Sequence, residues 1–415
     1  MKNITKAVLK DLLEFFRWIV IACITGVVVG AVGVAFVKGL SLVTGFRTTH
    51  PYIILGLPIA GIVIVTLYKI CKFENDKGTN LMLSTIHGET EIPLRMAPLI
   101  FISTLLTHLF GGSAGREGAA LQLGGSIGNQ IGRWFKLSED DTRTIVMCGM
   151  SAAFSSIFGT PMAAVIFSLE VSSVGIMQYS ALVPCAVASL TASIVSNHFG
   201  VFAEAFGTVK MVDFGVIPAG KIAILGMLCA VLSVAFCQIL HTANHLYKKY
   251  FKNAYVRIAV AGLLIIALTA ILRTSAYSGS GAILIEEAIA GECPPEAFFW
   301  KIVFTALTLG AGFKGGEIVP SFTIGATFGC LFGTLFGLSP SLCAAVAMIS
   351  MFCGVTNSPI ASMIIGFELF GLDIMKYLLI GVSISYMLSG CHSLYHEQKI
   401  VYSKFKTECV NPKPE

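Results

Sequence analysis

The sequence predicts an all-α, polytopic membrane protein, and its composition, its long apolar runs and an internal repeat all point that way. Of its 415 residues, 55% are hydrophobic and only 12% are charged, and the mean hydropathy is +0.82. A soluble domain carries about 25% charged residues. Because a soluble fold of this length needs polar groups over its whole surface, this composition excludes one.

Uncharged apolar runs supply the spanning segments. Residues 19–37 and 222–240 reach the roughly 20 apolar residues that a helix needs to cross a bilayer. A third run, residues 258–272, is shorter, so we expect it to be tilted or to be completed by its flanks. The lipid bilayer is therefore the expected environment of most of the chain.

Basic residues cluster at the ends of these runs, which predicts the orientation. Under the positive-inside rule both termini and the middle loop are cytoplasmic, so the number of crossings is even. The expected location is the cell membrane, multi-pass, which in a bacterium is the inner membrane. The net charge of +5 is too small for nucleic-acid binding. The basic groups are Lys2, Lys6, Lys10 and Arg17, then Lys248, Lys249, Lys252 and Arg257, then Lys399, Lys404, Lys406 and Lys413.

Twelve cysteines and eight histidines are scattered singly through the chain. No spacing of the CxxC kind suggests a metal site or a disulfide framework, so we expect no metal and no cofactor. A membrane-embedded enzyme would need a nucleophile with its base, or paired acids and histidines. The sequence contains no such constellation, and we do not expect an enzyme.

An internal repeat organises the chain. Residues 154–170 and 352–368 share Phe, Pro, Ala, Ile and Glu at one constant offset, and three glycine-rich segments recur in the same order. We therefore expect a single transmembrane domain over residues 1–415. Its repeats cover about 17–205 and 216–405, a stretch at 209–220 joins them, and no soluble regulatory domain is appended. The repeats are antiparallel if each half crosses the membrane an odd number of times.

Glycine and proline interrupt the apolar helices at matching places in the two halves. Unwound backbone cannot face lipid, so it must line a cavity or be buried in protein. Interrupted helices at corresponding positions indicate a transporter's binding site. The breaks fall at residues 78, 115–118, 159–161, 279–281, 315–320 and 358–359.

Glu117 lies in the most informative of these breaks, at the start of a helix that follows a glycine-rich turn. Free N–H groups at a helix start form an anion site. A carboxylate can occupy that site itself and leave it when protonated, which couples anion movement to protons. The alternative is a helix-capping glutamate, but an acid at membrane depth is expensive and usually functional. Arg116 is expected to be a structural ion-pair partner or a surface-facing charge rather than a ligand.

The motif Gly115-Arg116-Glu117-Gly118 resembles the Gly-Arg-Glu-Gly-Pro signature of the CLC family of chloride channels and antiporters. Residues 159–170, residues 315–320 and Tyr395 follow at fitting spacing, and the resemblance covers about residues 15–405. It implies a homodimer with one pore per subunit, each subunit built from two inverted repeats of tilted and broken helices. It also implies that Glu117 is the gating glutamate and that Tyr395 lines the pore. It also implies that backbone amides face the anion, namely those of Gly118, Ala119, Ile318 and Val319.

Four departures from the usual CLC pattern resemble the branch that exchanges fluoride for protons. Residues 77–82, with Gly78, Thr79 and Asn80, replace the usual Gly-Ser-Gly-Ile-Pro loop. Ala119 stands where the signature has proline, Val171 where many antiporters have a second glutamate, and Glu317 where an apolar residue is usual. The changed loop indicates a changed anion, and fluoride itself rests on the resemblance. A chloride channel or chloride/proton antiporter is the alternative.

Several side chains keep two interpretations. Glu317 is a second titrating group beside the anion, or it caps a helix. Thr79 and Asn80 donate to the anion, or they serve turn chemistry. Tyr395 lines the pore, or it belongs to an interfacial aromatic belt. Glu170 and Glu368 occupy equivalent repeat positions, which favours a shared structural role such as capping.

Overall fold

The computed structural model describes residues 2–74, 76–202, 206–406 and 408–409, and α-helices dominate it. The prediction of an all-α membrane protein is confirmed. The predicted end of repeat one at residue 205, and Lys413, lie outside the described residues. The helices of the first half are α1 Lys2–Thr49, α2 Leu57–Ile70, α3 Thr79–Ile86, α4 Met96–Leu109, α5 Glu117–Trp134, α6 Glu139–Phe158, α7 Pro161–Glu170 and α8 Leu182–His198. Those of the second half are α9 Val216–Tyr250, α10 Ala254–Leu272, α11 Ala282–Ala290, α12 Ala297–Ala311, α13 Ile318–Phe336, α14 Pro340–Thr356, α15 Pro359–Phe370 and α16 Met375–Leu388.

Helices start and stop where the glycine and proline breaks predict. α3 and α11 begin directly after a predicted break, α5 and α13 begin within one, and α7 and α15 each begin with a proline. Proline suits a first helical position because the N–H it lacks would have no intrahelical partner. The structure differs from the prediction in the stretch that joins the halves, because α9 begins at Val216, inside the predicted connection 209–220. Pro218 does not prevent this start, since it lies in the first turn of the helix.

Six helical segments in the described part of the chain are long and apolar enough to cross a membrane. The segments differ in burial: 78% of the residues in the apolar stretch of α13 are buried, but only 22% of those in the apolar stretch of α10. α13 therefore belongs to the protein interior, and α10 presents most of its surface outward. The short run at 258–272 is completed by its N-terminal flank, as expected, because α10 begins at Ala254.

Small residues bring the central helices into close contact. A Cβ on Gly124 of α5 would collide with the backbone carbonyl of Gly149 in α6. In the second half, a Cβ on Gly329 of α13 would collide with the carbonyl of Cys343 in α14. Close backbone approach through small residues is the usual way in which membrane helices gain packing energy. It places α5 and α13 at equivalent positions in the two halves.

Glu170 and Glu368 join the halves by a reciprocal exchange of caps. Each carboxylate lies in the last turn of one helix and accepts two hydrogen bonds from first-turn amides of the other half's helix, α15 or α7. Since first-turn amides have no intrahelical partner, the structure supports the capping role expected for this pair. The donors are Ile360 N (3.2 Å) and Ala361 N (2.8 Å) to Glu170, and Met162 N (2.9 Å) and Ala163 N (2.8 Å) to Glu368.

The chain after α16 returns to the centre of the molecule. Strand β2, Lys399–Ile400, pairs in parallel with β1, Ser173–Val174. Gln398 is fully buried and donates to the carbonyls of Val171 (2.8 Å) and Thr356 (2.7 Å). These contacts fix the segment that carries Tyr395.

Candidate anion site

The starts of α5 and α13 meet at a backbone bridge between Gly115 and Gly316. Gly115 N donates to Gly316 O (2.6 Å), and Gly316 N donates to Gly115 O (2.7 Å). Both glycines are buried, and a Cβ on Gly316 would lie 2.6 Å from Gly118 N. Only glycine allows this approach, so the two glycine-rich breaks predicted from the sequence bring two helix N-termini together.

The bridge leaves a set of buried amide donors directed toward one region. The first four N–H groups of an α-helix have no intrahelical acceptor, and the macrodipole adds about half a positive charge there. Two such ends placed together form an anion site. The residues concerned are those predicted from the sequence, Gly118 and Ala119 on α5 and Ile318 and Val319 on α13, and all four are buried.

Glu117 is the first residue of α5 and its side chain is fully buried. Its carboxylate folds back over the helix start, where Oε2 accepts from Arg116 N (3.1 Å) and Oε1 from Arg116 Nε (3.3 Å). The expected ion pair with Arg116 is therefore confirmed. The carboxylate already lies at the positive end of a helix, which is where a transported anion would also be most stable.

Glu317 lies across the bridge, in the residue before α13. Its carboxylate makes no capping hydrogen bond to that helix, which counts against the capping interpretation. A Cβ on Gly118 would lie 3.2 Å from Glu317 Oε2 and 3.5 Å from Thr79 Oγ1. The second acid and the hydroxyl of Thr79 therefore both lie beside the start of α5.

The loop before α3 contributes less than the sequence predicts. Gly78 adopts φ +59°, and its N–H donates to Asp76 Oδ1 (2.9 Å), so this predicted donor is already engaged. Thr79 is 4% exposed, and its hydroxyl lies 3.5 Å from Gly118 O. Asn80 Oδ1 accepts from Glu397 N (3.1 Å), so Nδ2 of the Asn80 amide points away from Glu397 N. The Asn80 amide is therefore the donor that remains on this loop, and the Thr79 hydroxyl reaches an anion only by giving up its long hydrogen bond to Gly118 O.

Gln122 belongs to the site and was not singled out from the sequence. It is 4% exposed, its Nε2 donates to Thr79 Oγ1 (3.4 Å), and its Oε1 has no hydrogen-bond partner among the described residues. A buried polar atom without a partner is uncommon. The available signal was a lone amide side chain in the glycine-rich segment just after Glu117.

Tyr395 is fully buried, and its hydroxyl has no hydrogen-bond partner within the described part of the chain. Its backbone N–H donates to Ser393 Oγ (3.1 Å), which fixes the turn. A buried O–H group that donates to no protein acceptor among the described residues is available to an anion. Its depth argues against an interfacial belt.

A cavity of about 1130 Å³ borders this region. Thr79, Asn80, Gln122 and Glu317 are among its lining residues, whereas Glu117 and Tyr395 are not. Of the two acids at the helix starts, Glu317 is therefore the one that faces the cavity. Basic residues also line the cavity, namely Lys69, Lys77, Lys248, Lys252, Arg257 and Lys314, beside the acids Glu74, Asp76 and Glu397.

Converging starts of interrupted helices, buried acids and a basic cavity, within a bundle of apolar helices, define a membrane protein that conducts or exchanges anions. The described residues contain no group of three or more His, Cys, Asp or Glu side chains that could hold a metal ion. The family model described as voltage gated chloride channel matches residues 59–390. The chain belongs to this CLC family.

Individual relatives agree with the family assignment. A chloride/fluoride channel protein of Pseudomonas syringae is 35% identical over 95% of this chain and 89% of its own length. The crystal structure of a CLC-type fluoride/proton antiporter, also 35% identical, superimposes with a TM-score of 0.90 over 94% of this chain and 99% of that one. An H⁺/Cl⁻ exchange transporter of Yersinia pestis is 26% identical over 74% of this chain and 69% of its own length.

Proposed function

We propose that the protein exchanges fluoride for protons across the cell membrane and so exports fluoride. The observation that carries the proposal is the Glu117 carboxylate at the start of α5, beside the bridge to α13. The relatives at 35% identity, one named a chloride/fluoride channel protein and one a fluoride/proton antiporter, support fluoride as the anion.

The exchange follows from competition for one set of amide donors. A charged Glu117 is stabilised by the helix starts and excludes an anion from them. Protonation removes that stabilisation, so the side chain leaves and an anion replaces it. Tyr395 then supplies a hydroxyl donor, and Thr79 and Asn80 supply donors on the cavity side. Each return of the charged carboxylate expels an anion and releases a proton, which couples the two fluxes.

Glu317 is assigned a proton-relay role in this scheme. Of the two acids at the helix starts it is the one that lines the cavity, and it lies close to Gly118. When charged it repels a second anion, and when protonated it admits one. A proton that arrives through the cavity can therefore reach the region of Glu117 by way of Glu317.

A flux assay in proteoliposomes tests the proposal. Fluoride and chloride electrodes record anion efflux while a pH electrode records proton movement under a fluoride gradient. We expect fluoride efflux much faster than chloride efflux, with proton uptake in step. A channel that conducts both anions is the second candidate, favoured by the relative named a chloride/fluoride channel protein. It would give fluoride and chloride efflux without proton uptake against a gradient.

The assembly and orientation follow from the same reasoning. A homodimer with two independent pores is proposed from family membership, and cross-linking at low protein density in bilayers tests it. Both termini are proposed to be cytoplasmic, so the basic cavity opens to the cytoplasm, where it attracts the anion that is exported. Single-cysteine labelling of an exposed site such as Cys391 from each side would test the orientation.

A further inference from the structure

Asp76 is a buried acid on the loop that leads into α3. Its side chain is 1% exposed, and its two oxygens bind different parts of the molecule. Oδ1 accepts from Gly78 N (2.9 Å), which holds Gly78 in its left-handed conformation. Oδ2 accepts from Lys314 Nζ (2.7 Å), a residue of the second half of the chain. One carboxylate therefore orders the loop before α3 and ties it to the loop before α13.

Lys314 is held on a second side as well. Its ammonium lies 4.3 Å from the centroid of the Tyr68 ring, and its side chain is 21% exposed. Cation–π contact and charge pairing act together on a cation that has lost much of its water. Lys314 directly precedes Gly315 and Gly316, so its position is transmitted to the bridge with Gly115 and to the start of α13.

The segment after Tyr395 joins the same network. Lys77 Nζ pairs with Glu397 Oε1 (3.1 Å), and Glu397 N donates to Asn80 Oδ1 (3.1 Å). The hydrogen bond from Glu397 N fixes the orientation of the Asn80 amide. Because Oδ1 of Asn80 accepts this bond, Nδ2 is the donor that remains for an anion. Three loops that border the anion site are thus bound to one another through side chains of the loop before α3.

We propose that Asp76 and Lys314 are positioning residues that set the anion selectivity of the site, by fixing the start of α3 against the start of α13. This inference rests on the proposed anion transport. Fluoride is small and strongly hydrated, so it loses its water only to donors held close and rigidly. Loops free to separate would fit the larger chloride as well. Lys314 also neutralises an acid that would otherwise repel anions inside the cavity.

Lys314→Met tests the proposal, because the apolar stem still packs on Tyr68 while the ammonium is lost. Breaking one side of a buried ion pair leaves an uncompensated charge. We expect the ratio of fluoride to chloride efflux to fall about tenfold or more, with a higher KM for fluoride. Arg133→Met is the matched control, since it removes the cation of the exposed Arg133–Glu91 pair (2.6 Å) and should leave the ratio unchanged.

Two further variants separate positioning from stability. Asp76→Asn retains an oxygen for Gly78 N but loses the charge, so it should lower the ratio while preserving the folded dimer. Asp76→Asn combined with Lys314→Met removes both charges and should recover part of the fluoride affinity lost in Lys314→Met. If Lys314→Met does not fold, Asp76→Asn alone decides the question.

An unchanged fluoride-to-chloride ratio in folded Lys314→Met or Asp76→Asn protein overturns the inference. A loss of total flux in proportion to the folded fraction, at constant ratio, overturns it too. Failure of the proposed function would appear differently, as wild-type protein with no proton uptake under a fluoride gradient. The ratio remains measurable in that case, because it needs anion efflux only.

Discussion

Glu170→Gln distinguishes a capping role from a proton-relay role for an acid buried within the bundle. In the wild type, Oε1 of Glu170 accepts from Ile360 N and Oε2 accepts from Ala361 N, both in the first turn of α15. Glutamine keeps one oxygen and places an NH₂ group against the other backbone donor. One bond therefore survives as a neutral bond and the other becomes a contact between two donors.

The expected cost follows from these two bonds. A hydrogen bond to a charged group contributes about 1.5–3 kcal/mol and a neutral one about 0.5–1.5 kcal/mol. The lost charge at the start of α15 adds roughly 0.3–1 kcal/mol. We expect Glu170→Gln to destabilise the protein by about 2–4 kcal/mol. Glu286→Gln on the exposed surface of α11 is the matched control and should be neutral.

The loss of stability in Glu170→Gln is measured by thermal unfolding in detergent, followed as the loss of the monodisperse species. A proton-relay role is tested by the number of protons taken up per fluoride in proteoliposomes. We expect the wild-type number, because both oxygens of Glu170 accept hydrogen bonds from α15. Normal stability with abolished proton coupling would refute the reasoning. It would place Glu170 on the proton path.

Three further substitutions probe the anion site directly. Glu117→Gln should reduce fluoride-driven proton uptake to background, because the neutral amide has no proton to exchange; wild-type coupling would move the gate to Glu317. Tyr395→Phe should change stability by less than about 0.5 kcal/mol, since the hydroxyl has no partner among the described residues, yet raise the KM for fluoride about fivefold. An unchanged KM would remove Tyr395 from the anion path. Gly78→Ala should lower the free energy of unfolding by about 1–3 kcal/mol, because φ +59° with ψ −135° strains any residue with a Cβ. The exposed Gly220→Ala is the control, and equal stability of the two variants would contradict the expected strain.

Local chemistry explains what the sequence could predict. The helix starts at Glu117 and Ile318 follow from glycine runs, and the starts at Pro161 and Pro359 follow from proline, so each is determined within a few residues. An acid placed in such a break at membrane depth is rare enough to be noticed. The sequence therefore indicated the interrupted helices and the candidate gate without any information about tertiary contacts.

Contacts between distant segments explain what it could not predict. Asp76 and Lys314 are separated by 238 positions, and nothing in either local pattern points to the other. The engagement of Gly78 N by Asp76 is likewise invisible until the loop is folded. Glu170 and Glu368 were recognised as equivalent, but the exchange of caps requires knowing that α7 and α15 pack together.

The paired hydrogen bonds between Gly115 and Gly316 restrict how the protein can move during transport. Large rocking of one half against the other would break two short bonds in a dry interior, and each unsatisfied group would cost about 1–3 kcal/mol. Rotating a single carboxylate away from a helix start breaks no such bond between the halves. On this reasoning the backbone around the bridge stays fixed, and in the proposed exchange the parts that change places are a side chain, an ion and a proton. A turnover built on such short displacements needs neither a hinge nor a wide opening on either face of the membrane.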